Sequence, residues 1–394
     1  MFLRAVTTVL ALSVPAASVA EGRSDVLMDL LSRTPAEDID PQISSFRDMW
    51  FADFAAAARA METQSAAMES PRAASIGAFA RASAHGLAEF LGTGLEGGWE
   101  PLVGFSPLEV EAQLSWGSGY DTALVLRLAP GAADGVAPAL LANGYAEETR
   151  EGLLVYANAV EDDSTADFGE FPREKMGDPF QGPLGYASRV ALDGPVLMQS
   201  TNWPDLLTLS GRGAPQGHPD LPALATVLDS PDWGEVELIQ ATLLPHQLDL
   251  GGPGSGGIPA WDLGLLADLG SGTEAVGLVL FTYRHEADAR DAAKSIAKAW
   301  DAPRPGSPRD LVERMLQEPG AELPDSLDDI PAGPSMAELI GLPVETGVAG
   351  DGPYVAWVAL RGVPEVQDGW IRNPGFHRLY VAMIQRQLGL FGLP

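Results

Sequence analysis

Hydrophobic and polar positions change their spacing along this chain, and the changes divide it into regions. Between residues 46 and 91 apolar side chains recur every three or four residues, in FRDMWFADFAAAARAMETQ (46–64) and AASIGAFARASAHGLAEFL (73–91). In the second stretch Ile76, Phe79, Ala80, Ser83, Leu87 and Phe90 fall along one face, the mark of a helix packed on one side. Ser70-Pro71 suits its start, a hydroxyl cap followed by proline at the first helical position. The glycine-rich GTGLEGG (92–98) closes the region. Residues 21–98 are expected to form a helical N-terminal region.

Beyond residue 98 strand-like runs appear. GSGYDTALVLRL (117–128) and GSGTEAVGLVLF (270–281) each lead from Gly-Ser-Gly into a short strand, and each is followed by a helical pattern. In the second copy Ala289, Ala292, Ala293, Ile296 and Trp300 make an amphipathic stripe, and in the first Val136, Ala139 and Leu140 begin one that Gly144 is placed to end. Both copies then return to a strand after an acidic-glycine turn: Glu151-Gly152 before LLVYANA (153–159), Asp351-Gly352 before PYVAWVAL (353–360). The pattern predicts a tandem duplication, with a first half at 99–250 and a second at 251–394 that carries an insertion near 301–348. In the first strand Leu124, Leu126 and Leu128 alternate with Ala123, Val125 and Arg127, which predicts mainly antiparallel sheets covered by helices on one face. The expected fold class is α+β: a helical N-terminal region, then two related sheet-and-helix halves of ferredoxin-like character.

Two further elements complete the pattern. YASRVALDGPVLMQSTNWPDLLTLSG (186–211) predicts two strands meeting at Asp193-Gly194 and a short helix after Trp203-Pro204. Asn373-Pro374 caps a C-terminal helix whose stripe is Phe376, Leu379, Tyr380, Met383, Ile384 and Leu388. GFSPLEVEAQLSWG (104–117), the strand–helix–strand after it, and GPVLMQSTNWPDLLTL (194–209) resemble exported bacterial proteins built of two related α+β halves behind a helical N-terminus. That resemblance implies a fold and no activity, so it transfers no functional residue.

The first residues, MFLRAVTTVLALSVPAASVAEG, place Arg4 before a short apolar core and end in the small-x-small pattern Ser18-Val19-Ala20. This predicts a signal peptide over residues 1–20 and a periplasmic or secreted mature chain starting near Glu21. After its removal no integral membrane segment is expected. The chain has no cysteine, which excludes disulfides, thiolate metal sites and a cysteine nucleophile. With 24 basic and 54 acidic residues its net charge is −30, a balance that argues against nucleic acid as a partner.

The remaining motifs carry little chemistry. Gly252, Gly254 and Gly257 match G-x-G-x-x-G, but Pro245 spoils the preceding strand and no acidic residue follows at the required distance. The stretch reads as a connector between halves, and no cofactor is expected. Ser295-x-x-Lys298 matches the acyl-transfer motif, yet both residues point away from the apolar stripe of their helix. The five histidines are scattered, and the carboxylate clusters at 161–170 and 325–329 lack calcium-loop spacing, so no metal is expected.

Nine tryptophans remain. Trp50, Trp300 and Trp357 sit in apolar patterns, whereas Trp203, Trp233, Trp261 and Trp370 stand beside proline, aspartate or glycine. An exposed indole next to a carboxylate offers an apolar face with a directional acceptor. Trp203, Asp205, Trp261, Asp262 and Trp370 are the candidate ligand-binding residues. The leading expectation is a non-enzymatic exported protein that binds an unknown ligand or envelope protein, with a groove between the halves as its natural place. An exported hydrolase whose site assembles only on folding, and a purely structural envelope component, are the alternatives.

Overall fold

The computed structural model describes residues 22–39, 49–62, 71–82, 98–118, 121–158, 179–180, 187–213, 216–244, 258–301, 335–367 and 370–384. The expected signal peptide, the glycines of 251–257, both carboxylate clusters, and His85 and His246 lie outside them, as do residues 302–334 of the expected insertion.

In chain order the strands are β1 (Met49–Asp53), β2 (Val110–Ser118), β3 (Asp121–Leu128), β4 (Ala146–Arg150), β5 (Leu153–Ala157), β6 (Arg189–Asp193) and β7 (Val196–Ser200). They continue with β8 (Glu237–Leu243), β9 (Gly264–Gly270), β10 (Ala275–Tyr283), β11 (Val344–Ala349), β12 (Tyr354–Gly362), β13 (Glu365–Gln367) and β14 (Trp370–Arg372). The main helices are α1 (Asp25–Arg33), α2 (Phe54–Ala60), α3 (Pro71–Ala82), α4 (Val136–Ala142), α5 (Trp203–Leu209), α6 (Leu221–Leu228), α7 (Glu286–Ala299), α8 (Met336–Ile340) and α9 (Pro374–Ile384).

Strands β1 to β12 form one sheet, in the order β11-β12-β10-β9-β8-β1-β2-β3-β7-β6-β5-β4, with every pairing antiparallel. The α+β class and the antiparallel sheet therefore stand. Strands β13 and β14 make a separate two-stranded ribbon.

Three expectations change. MWFAD (49–53), placed by its spacing inside a helix, is the strand β1 at the middle of the sheet, and the helix begins only at Phe54. Asp53 marks the switch: its carboxylate accepts from the Ala56 N–H, capping α2. Second, helices cover both faces of the sheet. Ala123 and Val125 pack in the core under α1, α5 and α6, while Leu126 and Leu128 pack in the opposite core with α2, α3 and α4. The alternation in β3 thus separates two cores rather than core from solvent. Strand β10 shows the same partition: Val276, Leu278 and Leu280 face one core, and Val279, Phe281 and Tyr283 face a third, beneath α7, α8 and α9.

Third, the sheet runs without a break from one expected half into the other: β8, within 99–250, pairs with β9, within 251–394, and β1 fills the seam between β2 and β8. Trp50 pairs with Ser115 on β2 and with Thr242 on β8, and the Thr242 hydroxyl donates to the Met49 carbonyl at 2.9 Å. Leu27, Leu30 and Leu31 of α1 seal one face of this seam, and Ala57 and Ala60 of α2 pack on the other. The groove expected between the halves would fall at β8 and β9, which are paired along their length.

The two stretches read as copies share an element order: β2–β3–α4–β4–β5 and β9–β10–α7–β11–β12 both run hairpin, helix, hairpin. Gly117-Ser118 ends the first strand of one hairpin, beside the pair Ser118↔Asp121, and Gly270 ends the first strand of the other, beside Gly270↔Ala275. Placement differs. Strand β12 pairs directly with β10, whereas the β6–β7 hairpin stands between β3 and β5. That interposed hairpin pushes β4 and β5 outward, so β4 ends the sheet.

Candidate functional site

The five candidate residues do not converge. Trp203 is 3% exposed and Trp261 is 1% exposed, so neither is a surface indole. They also belong to different cores, Trp203 in the one beneath α5 and α6, Trp261 in the one beneath α7, 5.4 Å from the Phe281 ring. Asp262 is partly exposed, its N–H donating to the Thr282 carbonyl and its carboxylate 3.5 Å from Arg284 Nε. Trp370 opens β14, paired with Gln367 in the separate ribbon. The reading of exposed loop indoles fails for Trp203 and Trp261 because their proline- and aspartate-flanked positions lie at element ends packed against the sheet.

Buried carboxylates are tied down by the fold. Asp53 loses water, which pushes its carboxyl up to about 6; the Ala56 N–H at 2.6 Å and the Arg59 charge hold it back, while Glu237 adds to the rise. Glu237 is itself gripped by Arg59 through two bonds of 3.1 and 3.0 Å. Asp268, on β9, accepts from both arms of Arg81, from Gln240 at 2.9 Å and from Asn373 at 2.7 Å. Asp205 accepts from the Asn202 amide at 2.8 Å. Of the described histidines, His285 is exposed and His218 and His377 are half-buried. Burial, with Arg372 and Arg378 beside it, lowers the pKa of His377, and its Nε2 lies 3.2 Å from Arg372 Nη1. Among the described residues no three His, Cys, Asp or Glu side chains are grouped so as to hold a metal ion.

Where Trp203 does contribute is behind the open edge of the sheet. Strand β4 pairs with β5 in the register Ala146↔Ala157, Glu147↔Tyr156, Glu148↔Val155, Thr149↔Leu154 and Arg150↔Leu153. The two-residue turn Glu151-Gly152 joins them with φ of 51° and 76°, the left-handed pair that such hairpins require. Residues directly opposite in a ladder share a face. Val155 and Leu153 belong to the α5 core and Tyr156 to the α4 core. Glu148 and Arg150 therefore lie on the α5 face, and Glu147 and Thr149 on the α4 face.

Arg150 anchors this edge. Its guanidinium carbon lies 4.4 Å from the Trp203 ring centroid, and buried Arg189, on β6, stands 5.2 Å from the same ring. Cations over an indole face are held by its quadrupole, most strongly when desolvated. The rest of β4 is open: Ala146, Glu147, Glu148 and Thr149 are exposed. Among the described residues, the carboxylates of Glu147 and Glu148 have no hydrogen-bond or ion-pair partner, and only β5 pairs with the strand. Exposed apolar side chains lie close by, Leu154 (45%) on β5 and Leu141 (47%) on α4.

The sequence pattern did not single out AEETR (146–150), because a strand outside both cores carries no apolar alternation. The signal was indirect. Asn143-Gly144 stops a helix and Glu151-Gly152 makes a tight turn, and the residues between them must pair with LLVYA (153–157).

No protein-family model matches the chain, and no curated protein matches it. Among solved structures the chain is similar to one described as "Structure of crystal form I of TP0453", at 8% identity over 93% of this chain and 98% of that one, with a TM-score of 0.33. A likeness that distant carries no argument. Among the described residues no helix is long and apolar enough to cross a membrane.

Proposed function

We propose that the protein is an exported, non-enzymatic binding protein of the envelope that holds a partner chain along the edge strand β4. The observation that carries this reading is the state of that edge. Four consecutive exposed residues include two carboxylates without partners among the described residues, on a strand whose far end is fixed by Arg150 over Trp203. An unpaired strand edge presents backbone donors and acceptors as a template for an added strand. A rigid template loses less entropy on binding than a loose one. Export rests on the n-region, apolar core and Ser18-Val19-Ala20 of the first twenty residues. The buried carboxylates speak for binding over hydrolysis, since Asp53, Asp205 and Asp268 are each engaged in capping or bridging elements of the fold.

The test places a photoreactive side chain at Glu148 in the full-length protein expressed in its own cells, with Arg290 on the exposed side of α7 as control. Illumination is expected to give a defined adduct from position 148 alone, its partner peptide mapping to a single segment by mass spectrometry. Equal adducts from both positions, or none from 148, would overturn the proposal.

A further inference from the structure

The chemistry of the edge defines its occupant more narrowly. Resting on the reading above, we infer that β4 takes up, as an added antiparallel strand, a segment in which one large apolar residue is followed directly by two basic residues. Register and face dictate this order. An added strand places one side chain opposite each residue of β4, on the same face and about 5 Å away. Positions opposite Glu148 and Glu147 are consecutive in the incoming chain, one on each face, and each meets a carboxylate without a partner among the described residues. Two adjacent basic residues satisfy both.

The position before them lies opposite Thr149. Beyond Thr149 on the same face stands its own partner Leu154, exposed and apolar, within the lean of a long or aromatic side chain. One position earlier the incoming chain meets Arg150, which excludes a basic residue there. The incoming sequence therefore runs neutral or acidic, apolar, basic, basic. Antiparallel addition is favoured because its ladder is the more stable per residue.

Charge also disfavours the other ready occupant, a second copy of this chain. Pairing β4 with itself in the registers that set Glu148 opposite Glu148 or Glu147 brings like carboxylates together. The opposite sheet edge, β11, carries one carboxylate, Glu345, already bound to Arg361 at 3.1 Å, and α7 packs against that strand. A chain of net charge −30 repels its own copies and draws basic segments toward it. Charged edges are a common guard against edge-to-edge aggregation. Here the sign of the guard leaves the edge open to basic strands.

The probe is the labelled peptide acetyl-TEFKKVT-amide, titrated against the full mature chain by fluorescence anisotropy, with acetyl-TEFEEVT-amide as its charge-reversed counterpart. The lysine peptide is expected to bind, to weaken as salt is added, and to slow amide exchange across residues 146–150. The double variant Glu147→Lys/Glu148→Lys, whose altered side chains are exposed, should bind it about tenfold more weakly and prefer the glutamate peptide instead. Equal affinity of the lysine peptide for both proteins, or binding without protection of β4, would overturn the inference. Adducts from position 148 in cells with no binding of either peptide would remove the basic-segment assignment and leave the edge-binding function standing. Absence of both would remove the two together.

Discussion

Arg81 and Asp268 meet at the inside of the protein, the Arg81 Nη2 donating to Asp268 Oδ1 at 2.8 Å with both side chains shut away from water. The pair ties α3 to β9. Gln240 of β8 donates to Asp268 and also to the Arg81 carbonyl, and Asn373 adds a bond from the start of α9. Four elements distant in the chain are thereby locked at one carboxylate.

Removing one member should be costly, because the remaining charge stays buried. Arg81→Met is expected to lower stability by about 3–5 kcal/mol, read by urea denaturation. Adding Asp268→Asn should restore part of that loss, since a neutral amide needs no counter-charge. A double-mutant cycle that returned no coupling would show the ion pair to be idle.

Asp53 makes stability depend on pH in the unusual direction for a carboxylate. Its folded value of about 6 lies above the ordinary 3.8, so the folded chain holds the proton more tightly than the unfolded one. Its contribution is favourable at low pH, falls away as pH rises from about 4 to about 6, and is constant above that, a change of roughly 3 kcal/mol. Asp53→Asn keeps an oxygen to accept from Ala56 and should flatten this part of the stability–pH curve. An unchanged slope between pH 4 and 6 would place the titration elsewhere.

Gly277, in the middle of β10, leaves room for a helix start. A methyl group there would lie 2.5 Å from the Phe376 backbone nitrogen and 2.6 Å from the Gly375 carbonyl carbon. Gly277→Ala should therefore push α9 off the sheet and cost about 1–3 kcal/mol, visible as a lower melting temperature. An unaltered melt would mean that the helix shifts freely.

Glu151 adopts a left-handed φ of 51°, a conformation that costs a residue with a Cβ. Glu151→Gly is expected to raise stability by about 0.5–1 kcal/mol, and Glu151→Val to lower it. Thermal melts of the two variants should bracket the parent. The reverse order would contradict the turn geometry.

What the sequence disclosed was local. The turn at Asp193-Gly194 joins β6 and β7, and Asn373 caps α9 with its Oδ1 3.2 Å from the Phe376 nitrogen. Such features depend on neighbours within a few residues. Strand β1 was hidden because MWFAD, covered on both faces, shows no alternation, and the FAAAARA behind it reads as helix. Coverage of both sheet faces was hidden for a related reason: alternation of leucine with alanine or valine looks alike whether the second face meets solvent or another helix. As for the candidate site, Trp203 was singled out for exposure it does not have, and its role came from Arg150 and Arg189, residues brought to it only by the sheet. Strand β4 was silent because its side chains are polar.

The place of β1 also sets an order of events in folding. Thr242 and Met49 are bonded across 193 residues of chain. In chain order β1 therefore comes early, and its β8 side has no partner until residues 237–243 have followed. A link of that range slows folding and prolongs the exposure of an apolar strand. Shortening the chain before β8 should leave β1 without one of its two neighbours, and the product sticky rather than merely smaller.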